Sequence, residues 1–311
     1  MLGGTSGGGA AGAPFTEVQL KALETKACTS SSLGITPYQM DNGMAAYAGT
    51  LRISGEQVAA VNMTASSAAA PLPVIEFREG RRVLRALIDT SSPNGWITPD
   101  AARRLKLQLI GDPQLIDTKP PHLVDPSVCL MGIVPELHLD QTVVAKVPMF
   151  LRAVNGSLGA LGRNLQPPAD LVIGSDFLRA FGHVQLSFAN RFALFYASGG
   201  YEPETSNLVG TATLFIEGGA IAVGGEMDNE LCHFVLDVAG DYTVAVPARE
   251  SPPEIMHMAV GDLVIRHARA VSGASLGLGE IKHPRIGRRS LEHYKVTIDF
   301  QSRKVFFERP Q

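Results

Sequence analysis

The stretch Leu87-Ile88-Asp89-Thr90-Ser91 is an apolar run that ends in one carboxylate and is followed by small hydroxyl residues. Residues 73–88 predict two strands joined by a Glu-Gly turn, a hairpin whose second strand leads directly into Asp89. A carboxylate at a strand end is aimed by a rigid sheet. We therefore predict a functional role for Asp89, with Thr90 and Ser91 bracing its turn through hydrogen bonds.

A second stretch of the same kind is Val235-Leu236-Asp237-Val238-Ala239-Gly240. Asp237 also follows a strand-like apolar run, and a proline lies ten positions after each aspartate, at Pro99 and Pro247. Pro99 also predicts a short helix over Pro99–Leu105, with the proline at its first position. The pattern indicates two copies of one unit, each offering one aspartate. The alternative for each aspartate is a carboxylate that only caps a turn.

The ends of the two units match as well. Ile173-Gly174 and Ile286-Gly287 each precede a leucine four positions after the glycine, and two strand patterns follow each pair. The glycine-rich start predicts a flexible leader, followed by an amphipathic helix over Phe15–Ala27, and a later stretch has the composition of a linker. The self-comparison predicts one β-rich unit before that linker and one after it. Their boundaries are 1–44, 45–198, 199–206 and 207–311.

Composition favours a globular all-β protein. The 311 residues are 45% hydrophobic, enough for a substantial core, and 32 glycines with 20 prolines predict many turns and few long helices. A net charge of −3 without a Lys/Arg-rich block gives no electrostatic footprint for nucleic acid or an anionic membrane surface. We therefore expect no nucleic-acid partner.

Metal, nucleotide and membrane sites are not expected either. The three cysteines and eight histidines are scattered without zinc-ligand spacing, so no metal is predicted. The glycine-rich loop 155–162 lacks a Gly-Lys-Ser/Thr ending and a βαβ context, which argues against a nucleotide cofactor. No apolar run approaches the ~20 residues of a membrane span.

Taken together, the two motifs resemble the aspartic proteases. Apolar-apolar-Asp-Thr/Ser-Gly early in a lobe and apolar-Ile/Leu-Gly-x-x-x-Leu late in it are typical of that family, and the single-lobe spacing is similar to the retropepsin-type domain of bacteria and retroviruses. The resemblance covers most of residues 70–198 and 207–311. It implies an all-β fold of two barrel-like lobes with a few short helices, facing each other across a cleft.

The resemblance also implies a function. Asp89 and Asp237 would meet at the floor of the cleft, share a proton and activate a water that hydrolyses a peptide bond, without a metal or cofactor. The partner would be a protein or peptide substrate, and Ile173, Gly174, Ile286 and Gly287 would be structural. A monomer is favoured, and family habit together with the flexible leader suggests a secreted or periplasmic location.

Both motifs depart from the family pattern. Ser91 and Ala239 stand where glycine is usual, and Val238 replaces a threonine whose hydroxyl braces the two active loops against each other. We expect Val238 to remove half of that polar bracing. The leading hypothesis is a divergent aspartic endopeptidase, and the alternative is a catalytically weak or inactive relative that holds extended peptides by strand addition. A purely structural β-sandwich is the third possibility.

Overall fold

The computed structural model describes residues 27–28, 36–39, 45–48, 51–64, 72–111, 130–151, 169–247, 255–276, 278 and 281–310. The helix predicted over Phe15–Ala27 lies outside these ranges, apart from Ala27, which begins a short strand. The glycine-rich loop 155–162 also lies outside them.

The described residues form mostly strands, and the prediction of an all-β fold with a few short helices is confirmed. The strands of the first half are β1 (Ala27–Cys28), β2 (Thr36–Gln39), β3 (Ala45–Ala48), β4 (Arg52–Gly55), β5 (Val58–Asn62), β6 (Val74–Glu79), β7 (Arg82–Ile88), β8 (Trp96–Ile97), β9 (Gln108–Gly111), β10 (Leu130–Leu139), β11 (Thr142–Leu151), β12 (Leu171–Ile173), β13 (His183–Ser187) and β14 (Phe192–Tyr196). Those of the second half are β15 (Leu208–Glu217), β16 (Ala220–Met227), β17 (Glu230–Asp237), β18 (Val244–Val246), β19 (Ile255–Val260), β20 (Leu263–Ala268), β21 (Ala270–Ser272), β22 (Arg285–Gly287), β23 (Lys295–Asp299) and β24 (Lys304–Glu308).

The helices are α1 (Pro99–Leu105), α2 (Ser175–Leu178) and α3 (Arg288–Leu291), with a single 3-10 turn at Ala274–Leu276. The short helix predicted to begin at Pro99 is confirmed, because the proline occupies its first turn and the Thr98 side chain accepts a hydrogen bond from the N–H of Ala101. Lys106 ends it in a left-handed conformation.

The first lobe contains a closed barrel of six strands. Strands β10, β6, β7, β12, β8 and β11 are hydrogen-bonded in that order, and β11 pairs back onto β10. Strand β12 lies between β7, to which it is parallel, and β8, to which it is antiparallel. This arrangement places the end of β7 and the end of β12 side by side.

The second lobe repeats that arrangement. Strand β22 is parallel to β17 and antiparallel to β18, and β18 is parallel to β21 as β8 is to β11. A short helix follows each inserted strand, α2 after β12 and α3 after β22. The two aspartate motifs therefore lie at equivalent points of the two lobes.

Six strands join the lobes in one continuous sheet, in the order β5, β14, β13, β23, β24, β15. Its centre is the antiparallel pair of β13 with β23, where Gln185 lies opposite Thr297. One face of these strands carries core residues, including Val184, Leu186 and Ile298, all fully buried. Because backbone hydrogen bonds fix the register across the junction, the sheet holds the two lobes in a defined mutual position.

Candidate active site

The first aspartate lies just beyond the end of β7. The N–H of Asp89 donates to the carbonyl of Ile173 at 2.9 Å, which ties the loop to β12. The carboxylate oxygen Oδ1 accepts two hydrogen bonds from Ser91, one from the backbone N–H at 2.9 Å and one from Oγ at 2.7 Å. The N–H of Ser92 closes the turn on the carbonyl of Asp89 at 3.2 Å. Asp89 is partly exposed, so one oxygen is fixed by donors while the carboxylate stays accessible.

The second aspartate is the last residue of β17 and is only 3% exposed. The Tyr242 hydroxyl donates to Oδ2 of Asp237, and Nη1 of Arg285 lies 3.9 Å from the same oxygen. The N–H of Gly240 closes this turn on the carbonyl of Asp237 at 3.0 Å, as Ser92 does in the other lobe. The two loops share a backbone turn and differ in the groups that hold the carboxylate.

Thr90 connects the two loops directly. Its hydroxyl donates to the carbonyl of Leu236 at 2.6 Å and accepts from the N–H of Val238 at 3.2 Å. The carbonyl of Thr90 also accepts from the N–H of Ile221 at 2.9 Å. Val238 is fully buried in the apolar core and has no hydroxyl to return these bonds. The side-chain link between the loops is therefore one-sided, as the valine in the sequence predicted.

The pKa of Asp237 is changed by its surroundings, which include Asp89. Burial raises the pKa of Asp237 to about 6, and the charge of Asp89 acts in the same direction. Hydrogen bonds from Tyr242 and Gly240 and the charge of Arg285 offset part of that effect. Burial and the adjacent carboxylate also raise the pKa of Tyr242 well above its usual range, so the phenol remains a donor. In weak acid, Asp237 therefore carries a proton beside Asp89.

The two Ile-Gly pairs allow a close approach between strand and loop. A Cβ on Gly174 would lie 2.4 Å from the carbonyl carbon of Asn94, and one on Gly287 would lie 2.1 Å from the carbonyl oxygen of Tyr242. Asn94 and Tyr242 are each five residues after their aspartate. Only glycine leaves room for these loops, while Ile173 and Ile286 are buried in the core next to them.

The helix beginnings anchor the same loops. The N–H of Ser175 donates to the carbonyl of Ser92 at 2.9 Å, and the N–H of Arg288 donates to the carbonyl of Gly240 at 2.8 Å. Ala239 is buried against the first lobe in an apolar cluster that includes Val172. The extra methyl group that replaces the usual glycine hydrogen is thus accommodated by packing.

Sequence reasoning missed three residues around Asp237. Tyr242, Arg285 and the buried Arg288, whose Nη2 lies 2.5 Å from Asp241, all stabilise or charge the second loop. An alignment of the two units could have indicated Tyr242 and Arg285, because each differs in character from the residue at the matching position of the first unit. Tyr242 stands where the first unit has Asn94, and Arg285 is a charged residue where the first unit has Val172.

The other acidic residues near the motifs have structural partners. Asp176 accepts hydrogen bonds from the N–H groups of Phe177 and Gly95, at 2.7 and 3.2 Å. Asp299 is buried and accepts from Ser302 and from the N–H of Tyr201. Within the described ranges, no group of three or more His, Cys, Asp or Glu residues is placed to hold a metal, and no helix is long and apolar enough to cross a membrane.

No family model and no curated protein matches the sequence. A comparison with solved structures does find similar chains. The basic 7S globulin from soybean has 10% sequence identity and a TM-score of 0.48, and the match covers 83% of this chain and 94% of the globulin. The aspartic proteinase from Irpex lacteus has 10% identity and a TM-score of 0.48, covering 82% of this chain and 98% of its own. Conglutin gamma, a basic 7S globulin from lupine seeds, has 11% sequence identity and a TM-score of 0.45, and the match covers 85% of this chain and 96% of conglutin gamma.

Proposed function

We propose that this protein is an aspartic endopeptidase in which Asp89 and Asp237 activate a water molecule. One observation carries the proposal: the two loops are bonded through Thr90, and the charge of Asp89 contributes to the raised pKa of Asp237. Two carboxyl groups that share a proton can act as acid and base in the same reaction. The proton is held by the buried Asp237, whose pKa is raised.

The chemistry follows from the different surroundings of the two groups. Asp89 is partly exposed and takes a proton from the water while the water oxygen attacks the carbonyl carbon of the peptide bond. Asp237 in its protonated form donates to the carbonyl oxygen, which stabilises the tetrahedral intermediate. Asp89 then transfers its proton to the nitrogen, and Asp237 takes a proton back from a hydroxyl group of the intermediate. The C–N bond breaks, the products are a carboxylic acid and an amine, and both aspartates return to their starting states. No covalent enzyme intermediate is needed.

The test uses Asp89→Asn and Asp237→Asn with an unfolded protein substrate at pH 4.5 and pH 7. We expect each change to lower the cleavage rate by at least about 1,000-fold, because an amide cannot exchange the proton. Asp262→Asn, at an exposed turn, is the matched control and should retain full activity. Cleavage that survives both active-loop changes would exclude the proposed chemistry.

A second candidate function is peptide binding without cleavage. It is favoured because Asp237 already has partners within the protein: its Oδ2 accepts a hydrogen bond from Tyr242 and lies near Arg285. This alternative predicts that the wild type and both Asn variants retain an intact peptide with similar affinity. Mass spectrometry of the bound peptide after prolonged incubation distinguishes the two functions.

Several narrower parts of the proposal follow the resemblance of the two motifs. They are a chain of two retropepsin-like lobes that arose by duplication, with boundaries 45–198 and 207–311 on either side of the linker 199–206, and a leader over 1–44. They also include a monomeric state and a secreted or periplasmic location. Light scattering of the purified full chain and fractionation of the native host test the last two.

A further inference from the structure

Several ionisable side chains of the second lobe lie on or near the strand that carries Asp237. Side chains alternate along a strand, so His233 lies on the same face of β17 as Asp237. Arg285 on the neighbouring β22 reaches that face too, because its Nη1 lies 3.9 Å from Oδ2 of Asp237. His233 contacts Glu217 at 2.5 Å, and His283 lies 3.9 Å from the same glutamate.

The first lobe matches one of these three basic residues: Arg85 stands at the position of His233, while Val172 and Asp170 stand at those of Arg285 and His283. Val172, which corresponds to Arg285, is fully buried in the apolar cluster that contains Ala239. Asp170, which corresponds to His283, is paired with Arg104. The lobes therefore differ at the position of Arg285, whose counterpart in the first lobe is an apolar residue.

Arg285 is not fully neutralised by its surroundings. Among the described residues, its one ion pair within 4.0 Å is with Asp237, and in weak acid that carboxyl group is protonated because of its burial and the charge of Asp89. Glu217, the nearby acid, is already hydrogen-bonded to His233. The Arg285 side chain is 22% exposed, so part of it is accessible to a ligand.

We infer that Arg285 forms a carboxylate-binding subsite that selects peptide substrates with an acidic group next to the scissile bond on the second-lobe side. The inference rests on the proposed function, since it places the scissile bond at Asp237. A guanidinium within 4 Å of that carboxyl group can reach only a substrate residue close to the reacting bond.

The expected preference for an acidic residue over its amide follows from how a guanidinium binds each of the two groups. A fork-shaped guanidinium binds a carboxylate through two charge-assisted hydrogen bonds, whereas it binds an amide weakly. Part of the gain is lost to desolvation at a site that is mostly buried. We therefore expect an acidic residue to be preferred over its amide by about 10- to 100-fold.

The first experiment measures kcat/KM at pH 5 for a peptide library in which each position near the scissile bond is Asp or Asn. We expect one position to show the preference in the wild type and its reduction to about 1-fold in Arg285→Gln. Arg285→Lys, which keeps the charge but loses the fork, should show a smaller preference in the same direction. Arg82→Gln, at an exposed position of the first lobe, is the control and should leave the preference unchanged. Cleavage with no acidic preference would overturn the inference and leave the proposed function standing.

The second experiment measures binding in the Asp89→Asn variant, so it does not depend on cleavage. Three fluorescent peptides are compared: an Asp peptide with an amidated C-terminus, an Asn peptide with a free C-terminal carboxylate, and an Asn peptide with an amidated C-terminus. Tighter binding of the first supports a side-chain carboxylate, and tighter binding of the second supports a terminal one. Either preference should disappear when Arg285→Gln is added, and equal binding of all three would overturn the inference even if no substrate is cleaved.

Discussion

The loops after Asp89 and Asp237 share one backbone design and stabilise their carboxylates in opposite ways. In the first, Ser91 donates two hydrogen bonds to a carboxylate that remains partly exposed. In the second, the carboxylate is buried and contacts a phenol and a guanidinium that come from outside the Asp-Val-Ala-Gly motif. The similar backbone turns place two acids together, and burial raises the pKa of Asp237.

The largest stability effect should come from the residue that links the loops. Thr90→Val removes both bonds of the hydroxyl and leaves the Leu236 carbonyl and the Val238 N–H without this partner in a buried site. We expect a loss of about 3 kcal/mol of unfolding free energy, measured by urea denaturation, and at least a 10-fold loss of activity.

The control for Thr90 is another buried threonine. Thr142→Val removes one hydrogen bond, to the carbonyl of Glu56 at 2.8 Å, within the first lobe. It should cost about 1 kcal/mol and leave kcat unchanged. If both changes had the same effect on activity, the link between the loops would have no special role.

The second effect concerns the buried proton. The pKa of Asp237 rises from 3.8 to about 6 on folding, so the folded state binds this proton more tightly and stability falls as pH increases through that range. Between pH 4.5 and pH 7 the wild type should therefore lose about 2 kcal/mol more than Asp237→Asn, which has no proton to release. Parallel urea titrations at the two pH values measure the difference, and identical pH dependence would contradict it.

The third effect tests whether Tyr242 acts on Asp237 through its hydroxyl group or only through packing of its ring. Its hydroxyl donates to Asp237 and favours the charged form, so Tyr242→Phe should raise the pKa of Asp237 by about one unit. The alkaline limit of activity should move upward by the same amount, and carbon NMR of the carboxyl group gives the value without an activity assay.

Tyr201 supplies the matched control for that substitution. Its hydroxyl also donates to a buried carboxylate, Oε2 of Glu308 at 2.7 Å, in the sheet that joins the lobes. Tyr201→Phe should therefore leave the titration of Asp237 and the pH profile unchanged. A shift of equal size in both variants would indicate a general structural change.

The smallest effect is expected at the exposed edge of the second loop. Arg289 is 57% exposed and pairs with Asp241, which the buried Arg288 also contacts. Because water screens the exposed pair, Arg289→Ala should change stability by less than about 0.5 kcal/mol and leave activity unchanged. A loss of several-fold in kcat would show that Asp241 needs both arginines to position the loop.

Much of the fold was predictable because its signals are local. An apolar run ending in an aspartate, a proline at a helix start and an Ile-Gly pair each depend on neighbours in sequence, and each occurs where the sequence placed it. The missing bracing at Val238 was also predictable, since a valine cannot donate a hydrogen bond.

The remainder depends on contacts between distant parts of the chain. Arg285 lies 48 residues after Asp237, and only the parallel pairing of β17 with β22 brings them together. Strand β5 was not predicted, because most of its residues are exposed and its role is to complete the joining sheet beside β14. Such residues carry little hydrophobic pattern, since their environment is set by strands far along the chain.

The one-sided contribution of Thr90 makes the two halves non-interchangeable. A homodimer built from two first halves would have a hydroxyl on each side of its symmetry axis, whereas one built from two second halves would have valine on both sides and no such hydroxyl. A designer who wished to reduce this chain to a symmetric half-sized enzyme would have to begin with the first half. The single chain can carry Val238 in its second half because Thr90 in the first half supplies the hydroxyl that links the two loops.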